Sequence, residues 1–269
     1  MRGWLAPPPP ASIGADIPQI TDPAQRRATG VELLIVFALT LGMAGLTSLL
    51  NLLNSLLKPV PLNQQKVAIN VPHSAIGFLD LLFQLANVLQ LCAYGAIGGY
   101  LLWRGGVMLA SIGLDRTQPG RDLASGAGLA TLIGVPGLAF YLATRAMGLN
   151  LTVLPSALND TWWRIPALVM AAGANAWAEE MLVVGYLITR LRQLGWLENS
   201  SLAVSAVLRG SYHLYQGFGG FAGNLVMGLV FGRVWQRGNR LVPLIAAHTI
   251  LDVVSFVGYA LLANHTSWL

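Results

Sequence analysis

The sequence predicts an all-α fold, a polytopic membrane helix bundle of about seven transmembrane helices with room for an extra re-entrant or interfacial helix. Three observations lead there. The 269 residues are 55% hydrophobic and only 10% charged, with a mean hydropathy of +0.60, whereas soluble domains carry about 25% charged residues. Several apolar runs reach the roughly 20 residues that a helix needs to cross a bilayer. The cations flank those runs instead of clustering among aromatics, so the net charge of +5 is a topology signal and not a nucleic-acid signal. The single cysteine, Cys92, excludes an intrachain disulfide framework.

The elements follow in order. Residues 1–30 are polar and turn-rich, with a Pro7–Pro10 run, and read as a flexible tail without the apolar core of a signal peptide. Val31–Leu57 is the first span, with Glu32 at its edge, and Phe78–Trp103 is the second, with Asp80 at its start. The link between them is polar and carries prolines. In the next link, Gly106–Leu114 is apolar but too short to cross, which suggests a re-entrant or interfacial piece. Leu123–Ala143 is the third span; its Gly and Ala residues allow close helix approach, and Pro136 is expected to kink it. Trp162 and Trp163 mark an interface before the fourth span, which runs to about Leu191. Leu197–Tyr215, Phe221–Trp235 and Leu241–Ala263 complete the count. The chain thus divides into the tail, N-terminal transmembrane helices over 31–150, and a helical core over 151–269. With a cytoplasmic N-terminus, eleven cations fall on the inner side and four on the outer, leaving Arg209 within a span. That asymmetry supports the orientation.

Ionisable groups inside apolar spans are costly and mark function by default. Glu179 and Glu180 sit side by side in the fourth span, pointing about 100° apart. The fifth span carries Arg209 and His213 and the seventh carries His248 and Asp252, each pair four residues apart on one helix face. Six such residues on three late helices imply one shared polar cavity. Two chemistries use such a set. A buried carboxylate can act as general base on a water, with histidines orienting it. Alternatively, Glu179, His213 and His248 can hold a divalent metal that acidifies its water. The compact His-Glu-x-x-His metal motif is missing, and residue types alone do not separate the two.

The pattern Glu179–Glu180, Gly185–Tyr186, His213, and His248-Thr-Ile-Leu-Asp252 resembles the CAAX-protease and bacteriocin-processing (CPBP) family of intramembrane endopeptidases. That family carries Glu-Glu-x-x-x-Arg, then Phe-x-x-x-His, then His-x-x-x-Asn or Asp. The likeness covers roughly Trp163 to Leu262; the N-terminal half is similar only in being helical and membrane-embedded. The resemblance implies an integral protein of a bacterial plasma membrane that cuts a peptide or membrane-protein substrate. Glu179 would activate the water and Glu180 support it. His213 and His248 would polarise the water and the scissile carbonyl. Asp252 falls where Asn usually helps bind the oxyanion, and there it must be protonated or orient His248. The cofactor stays open between a divalent metal such as zinc and a metal-free Glu/His mechanism.

Two positions depart from the pattern. The motif arginine falls at Val184, and the motif phenylalanine falls at Arg209. One helix has lost a cation and its neighbour has gained one, so Arg209 is expected to pair with Glu180 or Glu179 across the two helices. Two other classes fit the residues: a proteolytically inactive relative serving as membrane scaffold or regulator, favoured by these departures, and a transporter, which predicts internal repeats that the two halves do not display.

Overall fold

The structure, a computed structural model, describes residues 19–262. The expected tail therefore lies outside the described residues up to residue 18, and helix already begins at Pro23. Asp22 caps it, accepting a hydrogen bond from the Gln25 amide at 2.8 Å, and Pro23 occupies the first turn where no amide is needed. This helix, α1 (Pro23–Leu39), breaks at Thr40 and resumes as α2 (Leu41–Leu56), bent by 48°. Gly42 makes the bend feasible, because a Cβ there would lie 2.5 Å from the Phe37 carbonyl oxygen.

Helices α3 (Gly77–Arg104) and α4 (Pro119–Ala146) are long and apolar, and Pro136 stands inside a helix that continues past it. Next comes one 30-residue rod, Arg164–Gln193, made of α5 (Arg164–Glu179), a π-helical segment (Glu180–Tyr186) and α6 (Leu187–Gln193). Two-thirds of this rod is buried, against 22% or less of the other candidate spans, so it forms the axis of the bundle. The chain finishes with α7 (Glu198–Ser211), α8 (Phe218–Gly238) and α9 (Val242–Leu262). Around the axis, α3 and α9 flank α5, α4 packs on α9, and α7 lies along α8.

Several expectations need correction. Among the described residues four helices are long and apolar enough to cross a membrane, five if the bent α1–α2 pair is one span, so seven is more than length and composition support. The difference lies in α7 and α8. At 14 residues, α7 is about 21 Å long, short of the roughly 30 Å hydrocarbon core. The glycine-rich α8 ends in Arg233, Gln236 and Arg237. The expected re-entrant piece is only a single 3-10 turn, Leu109–Ile112. Ile112 is fully buried and its carbonyl accepts from the Trp235 indole at 3.0 Å. Finally, two links that read as plain connections contain short strands, β1 (Lys66–Asn70) and β2 (Thr152–Ser156). They pair in parallel with Lys66 opposite Thr152 and Asn70 opposite Ser156. The pair joins the α2–α3 link to the α4–α5 link at one end of the bundle.

Candidate active site

The π segment sets the site. A π turn holds one residue more than an α turn and leaves a carbonyl poorly paired; here Ser205 on α7 donates its hydroxyl to the Val183 carbonyl at 2.8 Å. Glu179 and Glu180 stand where α helix passes into π helix, both essentially buried. Small residues bring the neighbours close. At Gly228 on α8 a Cβ would lie 2.9 Å from Ala206 Cα, and this tight α7–α8 crossing presses Arg209 toward the axis.

The expected cross-helix ion pair is present. Arg209, fully buried, places Nη2 2.7 Å from Glu180 Oε1 and Nη1 3.3 Å from Glu179 Oε2. Its guanidinium also lies 5.7 Å from the Phe231 ring centroid. His248 Nδ1 lies 2.7 Å from the same Glu180 oxygen, and His248 Nε2 is 3.7 Å from Asp252 Oδ2. Glu180 Oε1 is thus shared by a guanidinium and an imidazole from two other helices, while its Oε2 is buried without a partner. His213 follows α7 in the turn before Leu214–Gln216. It is within electrostatic reach of Glu179, Arg209 and His248, its Nδ1 lies 3.3 Å from Gln216 Nε2, and its Nε2 is buried with no hydrogen-bond partner. All six predicted residues therefore gather in one cluster at the centre of the bundle.

Two members come from beyond that set. Tyr212 donates its hydroxyl to Glu179 Oε2 at 2.6 Å. Tyr212 lies three residues after Arg209, so helical spacing by three as well as by four brings it to the same face. Asn175, one turn before Glu179, donates its amide to Asp252 Oδ2 at 2.9 Å. An amide thus stands against Asp252, carried by α5 and not by α9. Glu179 Oε1 makes no hydrogen bond to the protein among the described residues.

The fit to a metal is poor. Among the described residues no group of three His, Cys, Asp or Glu side chains is placed to hold a metal ion. Of the three candidate ligands, His248 turns Nδ1 to Glu180, and Glu179 has one oxygen committed to Tyr212 and Arg209. A guanidinium 3.3 Å from that oxygen would repel a divalent cation. As placed, these side chains form a hydrogen-bonded ion cluster and not a ligand shell.

Residues 161–254 match the family described as type II CAAX prenyl endopeptidase Rce1-like. The matched segment contains every side chain of the cluster, from Asn175 to Asp252. No curated protein and no solved structure matches the chain. The chain is therefore an integral membrane protein whose residues 161–254 are similar to the CPBP family of intramembrane proteases.

Proposed function

We propose that the protein is an intramembrane endopeptidase in which Glu179 activates a water to cut a membrane-associated peptide or protein segment. The single observation that carries this reading is the asymmetry of Glu179. One carboxylate oxygen is fixed by Tyr212 and Arg209, and the other makes no hydrogen bond among the described residues and belongs to a carboxylate within electrostatic reach of His213. His213 Nε2 has no partner of its own, and a buried polar atom of that kind calls for a water or a substrate group. A water between Glu179 Oε1 and His213 Nε2 loses a proton to the carboxylate as its oxygen adds to the scissile carbonyl carbon. His248 and the second amide hydrogen of Asn175 are the donors at hand for the resulting oxyanion. The proton on Glu179 then passes to the departing amine as the carbon–nitrogen bond breaks. Glu180 takes no part in transfer; it holds Arg209 and His248 in place.

In this reading residues 151–269 are the catalytic core, the N-terminal helices support it, and the N-terminus faces the cytoplasm. A scaffold role is the second reading, favoured by the double engagement of Glu180 Oε1 with Arg209 and His248, which also suits a purely structural ion cluster. One experiment separates them. Purified wild type and Glu179→Gln are incubated with labelled peptides and membrane-tethered segments, with and without chelator. Cleavage by wild type that falls at least about a thousandfold in the variant, with no loss of folded protein, supports the protease. Folded wild type that cuts nothing in a broad library supports the scaffold.

A further inference from the structure

A second polar feature lies beside this cluster. At the end of the bundle that carries the strands, a cavity of about 470 Å³ opens among α2, β1 and the turn after α7, a size within the range of ligand sites. Lys58 and Lys66 stand on its rim, with Asn51 and Asn54 on its α2 wall. Neither lysine has an ion-pair partner among the described residues, and no carboxylate lines the cavity. The Asn51 and Asn54 side chains are likewise free of hydrogen bonds among the described residues. Two cations and the two asparagine amides without hydrogen bonds thus border a space whose lining holds no counter-charge.

The inner wall is Tyr215, which connects the cavity to the chemistry. Its ring stacks on His213 with centroids 6.3 Å apart and planes at 24°. Gln216 Nε2 lies 3.0 Å from the Tyr215 hydroxyl and 3.3 Å from His213 Nδ1. Strand β1 contributes Lys66 and Val67 and, in a two-stranded sheet, has one unpaired edge where an extended chain can add. The outer side of β2 is closed to such pairing, because Pro155 has no amide hydrogen and the Val153 amide already donates to Tyr141. Extended peptide is therefore the occupant that the surroundings suit.

We propose that this cavity is a substrate subsite for a carboxylate, so that the enzyme prefers peptides carrying an acidic group a few residues from the cut bond. The inference rests on the endopeptidase reading. The carboxylate belongs either to an Asp or Glu side chain or to a chain terminus, and the same lysines suit both.

The test uses full-length protein in neutral-lipid nanodiscs. Fluorescent peptides differ only by Glu or Gln at successive positions and by a free or amidated C-terminus; binding is read by anisotropy and cleavage by product release. Wild type should bind and cut one acidic form about tenfold better than its neutral twin, and the position of the effect separates side chain from terminus. Lys58→Gln with Lys66→Gln should remove the preference through KM, and Lys58→Glu with Lys66→Glu should turn it toward a Lys-bearing peptide. Arg116→Gln, in the link between α3 and α4, should keep it. Equal binding of acidic and neutral twins by wild type overturns the subsite whether or not any peptide is cut. Cleavage without acid preference sinks the subsite and leaves the protease standing. Acid-selective binding through the lysines without cleavage of any peptide sinks the protease instead. A preference that vanishes when phosphatidylglycerol is added, with no lysine-dependent peptide binding, assigns the cavity to a lipid headgroup and also overturns the proposal.

Discussion

Arg209 is the residue on which the others depend. It neutralises two carboxylates that would otherwise sit together in apolar surroundings, and removing one partner of a buried pair costs about 3–5 kcal/mol. Arg209→Leu should therefore lower the melting temperature and abolish cleavage, and Val184→Arg on that background should recover part of both. Val184 is fully buried in the wild type, so Val184→Arg alone should destabilise by overpacking. If Arg209→Leu folds and works as wild type does, the guanidinium is dispensable. Asn175→Ala should slow turnover about a hundredfold with a smaller change in KM, as expected for a donor that acts on the transition state. Six side chains of this cluster were legible in the sequence because ionisable groups stand out against apolar helices. Tyr212 was not, because a tyrosine in a membrane protein looks like any other interfacial aromatic.

The elements place those residues through close approach. Gly228 lets α8 lie against α7, and an added Cβ would press on Ala206 and also lie 3.3 Å from Arg209 Cδ. Gly228→Ala should cost about 1–3 kcal/mol and shift Arg209, reducing both thermal stability and turnover. Gly223→Ala on the same helix meets only Phe140, at 3.6 Å, and should be close to neutral in the same thermal melt. The long helices α3, α4, α5–α6 and α9 were legible to within a few residues, since an unbroken apolar run leaves a backbone no other way to pair in lipid. Three features escaped. The bend at Thr40 comes from a local approach of Gly42 to Phe37 and lacks a proline to announce it. The strands are five residues each and pair across 86 positions of sequence, Lys66 with Thr152, which no local pattern encodes. The π segment has no composition of its own.

At the scale of the whole molecule, three distant segments are clamped at the end opposite the strands. Arg240, between α8 and α9, places Nε 2.6 Å from Asp122 Oδ1 and Nη2 3.0 Å from Asp115 Oδ1. Gly113 makes the contact feasible: its φ is +73°, and its carbonyl accepts from the Leu241 amide at 3.1 Å. Hydrogen bonds from Thr117 and then Arg240 hold the Asp115 carboxyl down at about 2, against an ordinary value of 3.8. A depressed carboxyl contributes stability that is present above its unfolded value and lost as pH falls through the folded one. The clamp should thus be fully made from pH 8 to pH 5 and fail only toward pH 2. Arg240→Gln, which leaves the nearly buried Asp122 uncompensated, should lower the melting temperature by a similar amount at pH 8 and pH 5. A loss that disappears by pH 5 would place the stabilisation elsewhere.

The cation that bridges Glu179 and Glu180 also constrains how this sequence could have arisen. Between a chain with arginine four residues after the Glu pair and this one lie two substitutions, at positions 184 and 209. Losing the first arginine before gaining the second leaves two buried carboxylates with no guanidinium, an intermediate short by several kcal/mol. Gaining Arg209 first keeps both carboxylates compensated throughout, at the smaller cost of a crowded core that is relieved when the older arginine decays to valine. The passable order is gain before loss, and living descendants of the intermediate should carry both arginines and not neither.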